Sequence, residues 1–179
     1  MKYIILILLA CTSVIEQAGQ DSYSCKNAKI SLFSSTAVDD IKAETSTGTS
    51  VFNASTGQLE FSVNIKSLTF EKSLMQQHFN EDYMQSDKYP KASFKGKIQE
   101  HIDVAKEGTY PVTVAGDLTI HGTTKSRTVP GKVIVKAGTI TMTSEFVVKC
   151  ADHNVETPKI LFHHIAKEVT ISVSATYKK

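Results

Sequence analysis

Residues 110–135, YPVTVAGDLTIHGTTKSRTVPGKVIV, carry the pattern that decides the fold. In the first half of this stretch every second side chain shares one face, and these side chains are Tyr110, Val112, Val114, Gly116, Leu118 and Ile120. Alternation of this kind is typical of a strand with one buried face, and the glycine at position 122 marks a turn. The stretch therefore predicts two long strands connected by a short link.

The same alternation recurs along most of the chain after Lys26. Read at every second position, the inward-facing sets are Leu59–Ile65, Ala92–Ile98, Val133–Val135, Ile140–Cys150 and Val169–Tyr177. Weaker candidates lie around residues 28–34, 37–44 and 50–54. About eight antiparallel strands with short links predict either a sandwich or a closed barrel. Residues 26–179 are expected to form this single domain.

Two segments interrupt the alternation and are expected to cover one end of the sheet. Between Thr69 and Gln85 the apolar residues recur at helical spacing. These residues are Leu74, Met75, Phe79, Tyr83 and Met84. Thr69 is the expected N-cap of this helix. The second segment, residues 152–165, is irregular and contains Pro158. The sequence therefore predicts a helical cap and a second insert on a sheet-rich domain.

The predicted inward faces mix large apolar side chains with small ones. The small residues are Ala92, Gly96, Gly116, Ser144 and Ala175. An eight-stranded barrel is either just filled by its own side chains or holds one small ligand, and small inward residues favour the ligand. Small residues also occur at bends in sheets, so an ordinary packed core remains the alternative.

The first twenty residues have the pattern of an export signal. Lys2 is followed by an apolar run from Tyr3 to Ala10, which is far shorter than the ~20 residues of a membrane-spanning helix. Ala10-Cys11 resembles the end of a bacterial lipobox, in which Cys11 would be lipidated and would tether the protein to a membrane. Cleavage near Ala18-Gly19 is the alternative. Either route predicts a periplasmic protein.

The charge and the cysteines narrow the class of protein further. The net charge of +2 is spread without blocks, so neither nucleic acid nor an anionic membrane surface is an expected partner. The sequence carries no signal for an oligomeric state. If Cys11 is lipidated or removed, Cys25 and Cys150 remain as a pair in an oxidising compartment, which predicts a disulfide between them. Two separate thiols are the alternative.

No residue pattern in the sequence favours catalysis or a metal. The six histidines lack ligand-type spacing, and the adjacent His163 and His164 would point to opposite faces of a strand. Cys150, Asp152 and His153 lie close together, but a catalytic triad is defined by geometry and not by proximity in sequence. The sequence contains neither a phosphate-binding glycine loop nor a serine elbow.

Two blocks resemble a known family. Gly116–Lys125, GDLTIHGTTK, is similar to the signature hairpin of the YceI-like polyisoprenoid-binding family. Residues 63–98 are similar to that family's strand, helix and returning strand; the matching positions include Asn64, His78, Phe79, Tyr83, Tyr89, Pro90 and Phe94. The resemblance extends over residues 28–177.

This resemblance implies an all-β fold, namely a closed eight-stranded antiparallel lipocalin-like barrel with a short helical cap. It also implies a long polyisoprenoid tail held inside the barrel. By position, the tail would contact the strand residues Phe61, Val63, Phe94, Val114, Leu118 and Phe146. The cap would add Leu74, Phe79 and Tyr83. The resemblance assigns no contact to a head group.

The leading functional hypothesis is a periplasmic carrier for a long-chain isoprenoid, quinone-like or similar apolar lipid. Under this hypothesis the protein needs no other cofactor and is not an enzyme. One alternative is an enzyme that acts on an apolar substrate in the same barrel, using His78, Tyr83 or His153 at the mouth. The other is a filled barrel with a structural or stress-protective role in the envelope.

Overall fold

The fold is known from a computed structural model that describes residues 21–35, 40–155 and 167–178. Within these ranges the strands are β1 (Ser22–Ser35), β2 (Asp40–Asn53), β3 (Gln58–Asn64), β4 (Thr69–Phe70), β5 (Lys91–Ile98), β6 (Gly108–Ile120), β7 (Thr123–Lys136), β8 (Thr139–Lys149) and β9 (Glu168–Lys178). One α-helix, α1 (Ser73–His78), is followed by a π-helical turn, Phe79–Tyr83. The 3-10 turns Ile65–Ser67 and Cys150–His153 complete the elements of the described ranges.

Eight of these strands form a closed antiparallel ring. Their order is β1-β9-β8-β7-β6-β5-β3-β2, and β2 pairs with β1 to complete the circle. The two-residue strand β4 adds to β2 beside the ring. The closed barrel is therefore confirmed, and the sandwich that the alternation also allowed is excluded.

The hairpin of β6 and β7 has an unbroken register. Pairing runs from Gly108 opposite Val135 to Ile120 opposite Thr123, as residues 110–135 predicted. The link consists of His121 and Gly122, both with positive φ, at 50° and 70°. A two-residue turn with positive φ at both positions matches the right-handed twist of the strands that it joins.

The neighbouring strands β7 and β8 pair over only part of their length. Backbone pairing joins Lys132–Lys136 to Thr139–Thr143. Beyond it lie residues 123–131 of β7 and 144–149 of β8, which we call the β7–β8 seam. Side chains connect the two sides, because Arg127 Nη2 donates to Val147 O at 2.6 Å and Ser144 Oγ donates to Pro130 O at 2.6 Å.

The two ends of the barrel differ in how they are filled. At the packed end, Phe52, Val133 and Tyr177 are fully buried, and the Tyr177 hydroxyl forms a hydrogen bond with Ser50 Oγ. At the capped end, the segment after α1 covers the ring through a small cluster. The buried members of this cluster are Ile65, Tyr83 and Met84, against which Phe79, Ala92, Ile120 and Val155 pack.

The predicted helix from Thr69 to Gln85 is wrong at its start. Thr69 belongs to β4, pairs with Glu44, and donates its hydroxyl to the Glu44 carbonyl at 3.0 Å. Its side chain is thus not a helix cap, and α1 begins only at Ser73. Pairing with β2 overrides the local helical pattern at this position.

The predicted disulfide is also wrong. Cys25 lies opposite Ser50 near the packed end, whereas Cys150 follows β8 at the capped end. About ten residues of β8 separate Cys150 from the level of Tyr177, which corresponds to roughly 30 Å of strand. A disulfide needs Cα atoms within about 7 Å of each other. Both cysteines are thiols in the structure.

Several expectations fall on residues 1–20 and 156–166. The export signal, the tether at Cys11, and His163 with His164 all lie outside the described residues. None of the helices in the described ranges combines the length and the apolar character that a membrane-spanning segment requires.

Candidate functional site

The barrel encloses a cavity of about 200 Å³ between its packed end and its cap. Every strand of the ring except β2 contributes to its described lining. The apolar strand residues are Ile30, Leu32, Leu59, Phe61, Val63, Ala92, Phe94, Ile98, Val112, Val114, Leu118, Ile120, Val129, Val133, Met142, Phe146, Val148, Val169, Ile171 and Val173. The strand alternation explains this arrangement, since alternate side chains point into the barrel.

The described lining presents only apolar surface to the cavity. Ser62, Ser93, Thr143 and Ser144 belong to the lining, but their hydroxyl oxygens are not exposed in it. Water is disfavoured in such a space because a buried water needs two to four polar partners. A cavity with these walls suits a hydrocarbon.

Eight of the nine residues that the sequence placed in the ligand site line this cavity. Six come from the ring of strands, and they are Phe61, Val63, Phe94, Val114, Leu118 and Phe146. Phe79 and Tyr83 join them from the π-helical turn of the cap. The structure therefore brings these side chains together around one space.

The ninth residue, Leu74, was predicted to contact the ligand but does not line the cavity. Its side chain is 63% exposed on α1. Leu74 and Phe79 are five residues apart, which places them about 140° apart around an α-helix. Because Phe79 faces the barrel, Leu74 is turned outward.

Only two of the five small residues that were predicted to face inward line the cavity. Ala92 and Ser144 line the cavity, whereas Ala175 is buried in the core around the packed end. Gly96 and Gly116 lie opposite each other on β5 and β6, where a Cβ on Gly116 would overlap the Lys95 carbonyl oxygen. These two glycines allow close approach of the strands and do not widen the barrel.

Sequence reasoning missed part of the site at the capped end. Met84, Cys150, His153 and Val155 line the cavity, as do Ile30 and Leu32 on β1. The alternation on β1 was visible but weak. The sequence predicted an inward-facing Cys150 and a cover formed by the segment from residue 152, but it did not assign Cys150 or His153 to the ligand site.

The polar members of this end are Tyr83, Cys150 and His153. Burial raises the pKa of the Tyr83 hydroxyl, and the nearby charges of Asp82 and Cys150 act in the same direction. Burial also raises the pKa of the Cys150 thiol. Both groups therefore keep their protons at neutral pH. Nδ1 of His153 lies 2.9 Å from the Thr123 carbonyl oxygen.

His78, which was weighed as a residue of an enzyme's mouth, lies elsewhere. Its Nδ1 forms a hydrogen bond with Asp82 Oδ2 at 2.6 Å on the surface of the cap, and His78 does not line the cavity. The structure thus brings Tyr83 and His153 to the cavity without His78. In the described ranges, no group of three or more His, Cys, Asp or Glu side chains is placed to hold a metal ion.

Comparison with known proteins agrees with this geometry. The family model for the YceI-like domain matches residues 23–177. Among solved structures, a polyisoprenoid-binding domain from Saccharophagus degradans, implicated in plant cell wall breakdown, has a TM-score of 0.73 at 13% identity, covering 88% of this chain and 98% of that chain.

Two further structures share the fold. BcnA of Burkholderia cenocepacia has a TM-score of 0.70 at 21% identity, covering 83% of this chain and 95% of its own. A YceI protein of Campylobacter jejuni has a TM-score of 0.58 at 18% identity, covering 100% and 99%. No curated protein matches the chain.

Proposed function

Because this chain belongs to the family of YceI-like domains, we propose that it binds a long-chain isoprenoid or similar apolar lipid inside its barrel. The observation that carries the proposal is the cavity, whose described walls present only apolar surface. In this role the protein is a carrier that keeps the lipid's tail out of water.

The energetics of burial support a hydrocarbon occupant. Each methylene removed from water contributes about 0.8 kcal/mol. Strong binding therefore needs no charged contact, in keeping with the apolar walls. Affinity would come from the length and fit of the tail.

The size of the cavity fits part of an isoprenoid tail. An apolar cavity of about 150 Å³ accepts benzene. On that scale, the present cavity of about 200 Å³ encloses about one to two isoprene units. A longer tail requires the lining side chains or the cap to move outward.

The structural relative from Saccharophagus degradans is itself described as a polyisoprenoid-binding domain. With 13% identity, this likeness supports the barrel, and the choice of ligand class rests on the cavity and the family together. The pattern of residues 1–20 supports a periplasmic location, with Cys11 as the site of a tether.

We propose binding without turnover. Tyr83 and Cys150 keep their protons at neutral pH, so neither is an activated nucleophile or base. A filled barrel with a purely structural role is disfavoured by the open space between Phe61, Phe94 and Phe146.

Identification of the bound lipid is the first test. The protein is produced in a bacterium with its first twenty residues intact, purified from the envelope without detergent, and analysed by native mass spectrometry and solvent extraction. A long-chain apolar lipid bound one to one is expected. A ligand-free protein under these conditions would contradict the proposal.

A matched pair of variants links binding to the cavity. Ala92→Phe fills space at a lining position, whereas Ala115→Phe adds the same group outside the lining. Ala92→Phe is expected to weaken the binding of geranylgeraniol by tenfold or more, and Ala115→Phe to change it by less than about twofold. Equal effects of the two variants would argue against binding in this cavity.

A further inference from the structure

Along the β7–β8 seam, the wall between the cavity and solvent lacks a backbone ladder. Pairing between the two strands ends at Lys132 and Thr143. Both strands nevertheless continue to line the cavity. The lining residues on the two sides of the seam are Val129, Gly131, Ser144, Phe146 and Val148. The side chain of Val147, which lies between two of these residues, is 45% exposed.

Pro130 explains why the ladder stops. Its carbonyl oxygen accepts a hydrogen bond from Ser144 Oγ at 2.6 Å, so the backbone of residue 130 faces β8. The N–H and C=O of one residue in an antiparallel strand point to the same neighbour, and proline has no N–H to donate. A proline within a sheet is typical of an edge strand. Toward β8, this part of β7 is therefore an edge.

Side chains hold the seam closed. Besides the Ser144 contact, Arg127 Nη2 donates to Val147 O at 2.6 Å. The guanidinium carbon of Arg127 lies 5.3 Å from the centroid of the Phe146 ring, which is a cation–π contact. Arg127 Nε is buried and has no hydrogen-bond partner within the described ranges. An unsatisfied donor of this kind makes the closed arrangement less stable.

Both ends of the seam are fixed. At one end, Asn154 Nδ2 donates to Thr123 Oγ1 at 2.9 Å. At the other end, Lys132–Lys136 pairs with Thr139–Thr143. Outside the seam, β7 remains paired with β6 and β8 with β9 along their full lengths. The two strands can therefore separate between these ends without unfolding either one.

We propose that the β7–β8 seam is the portal through which the lipid's tail enters and leaves the cavity, with Arg127 as its latch. The inference rests on the proposed function and adds the route by which its site is filled. Opening breaks the side-chain contacts of Arg127 and Ser144. Phe146 connects the latch to the ligand, because its ring contacts Arg127 and also lines the cavity.

Other routes into the cavity are less favourable. Opening of the cap would expose the buried cluster of Ile65, Tyr83 and Met84. It would also strain the backbone bond from the Ile65 amide to the Pro90 carbonyl, which measures 2.9 Å. Pairing between β2 and β3 is short as well, but β2 does not contribute to the described lining of the cavity.

The rates of lipid exchange test the latch. All-trans-retinol, a fluorescent isoprenoid alcohol, is mixed with the protein in a stopped-flow fluorimeter, and its association and dissociation rate constants are measured. Arg127→Met removes the donor to Val147 O and retains an unbranched chain against Phe146. Both rate constants are expected to rise about tenfold while Kd changes by less than about twofold, because the open wall becomes more populated. Lys125→Met, at an exposed position of the same strand, should change neither rate constant.

A second variant tests the portal in the opposite direction. Pro130→Val supplies the amide that faces β8 and is expected to lower both rate constants at least threefold. Pro111→Val is its control in β6. The neighbouring Thr113 carbonyl accepts from the Gln99 amide at 2.9 Å, so this side of β6 faces away from β7. Pro111→Val should leave both rate constants within about twofold of their original values.

The outcomes separate the portal from the binding site. Unchanged rate constants in a folded form of either Arg127→Met or Pro130→Val would overturn the portal and leave the proposed function standing. A rise confined to the dissociation rate constant in Arg127→Met would make Arg127 a ligand contact, which also overturns its role as a latch. Failure of the unmodified protein to bind both retinol and geranylgeraniol would count against the proposed function itself.

Discussion

At the scale of single residues, Tyr177 shows how burial at the packed end changes the pKa of a side chain. Its phenol is fully buried, and burial raises its pKa well above the ordinary value near 10, although the hydrogen bond with Ser50 acts in the opposite direction. The neutral hydroxyl is thus strongly favoured in the folded state.

The raised pKa predicts how stability depends on pH. A raised folded-state pKa contributes stability that is fully present below the unfolded pKa, near 10, and is lost as the pH rises through the folded value. Above pH 10 the free energy of unfolding should fall by up to about 1.4 kcal/mol per pH unit from this residue. Urea unfolding between pH 9 and 11.5 measures the slope. Tyr177→Phe should show a shallower one, and identical slopes would contradict the argument.

Gly122 and Gly138 form a natural comparison in two hairpin turns. Both have φ of +70°, but a Cβ at Gly122 would lie 2.6 Å from the Tyr89 ring, whereas a Cβ at Gly138 would meet nothing within 4 Å. Gly138→Ala should cost about 1 kcal/mol from strain alone. Gly122→Ala should cost about 1 to 3 kcal/mol more because of the clash.

Chemical denaturation of the two variants measures this difference. The Tyr89→Ala background provides the control, because removal of the ring should bring Gly122→Ala close to Gly138→Ala. A difference that persists without Tyr89 would show that the clash is not its cause.

At the scale of elements, the cap combines one outward and one inward side chain. Leu74 is exposed, whereas Phe79 packs against the cluster at the capped end, with its ring 4.8 Å from that of Phe70. Leu74→Ala should change stability by less than about 0.5 kcal/mol. Phe79→Ala should cost about 3 kcal/mol and weaken lipid binding. Thermal unfolding and lipid titration of both variants test this, and equal effects would contradict the orientation of α1.

The β7–β8 seam should be less protected than the paired portion of the same two strands. Amides that point into it lack the backbone pairing that joins Lys132–Lys136 to Thr139–Thr143. Hydrogen exchange should therefore be faster along the seam than in the paired portion of these strands. Arg127→Ala removes the contact with Val147 O and should accelerate exchange further, whereas the exposed Lys125→Ala should not. Uniform hydrogen exchange along β7 and β8 would contradict this prediction.

How much of the site the sequence predicts depends on the element. In strands, period-two alternation fixes which side chains point inward, so Phe61, Phe94 and Phe146 line the cavity as their register predicted. In the cap, Leu74 was assigned to the site by position in the family resemblance. It lies five residues before Phe79, about 140° around a helix, so it points outward when Phe79 faces the barrel. His153 was weighed only as a mouth residue of the enzyme alternative, because its direction depends on a turn that tertiary contacts with β7 define.

At the scale of the whole molecule, the period-two alternation and the turn residues predicted the strands but not the closure of the sheet into a barrel. They allowed a sandwich as well as a barrel, and the choice depends on β1 pairing with both β2 and β9. The predicted disulfide failed at the same scale. The redox compartment and the number of cysteines do not determine which end of the barrel each thiol occupies. The two thiols lie at opposite ends.

Binding should be visible in the stability of the entire domain. A ligand that occupies only the folded state at one hundred times its Kd adds about 2.7 kcal/mol to the free energy of unfolding. For a domain of this size, the Tm should rise by several degrees with geranylgeraniol. Differential scanning calorimetry measures the shift. Ala92→Phe should show little of it at the same lipid concentration, and an unchanged shift in this variant would place the ligand outside the cavity.

The pairing of Lys29 with Ser174 joins strands from the two extremes of the fold. During synthesis β1 is made before the other strands of the ring and can pair with β2, but its other neighbour, β9, is the last strand of the ring to be made. Until then the growing chain is an open sheet with two unprotected edges, which are prone to associate with other chains. The ring can therefore close only after β9 has been made, so a chain that lacks β9 should be unable to enclose a lipid.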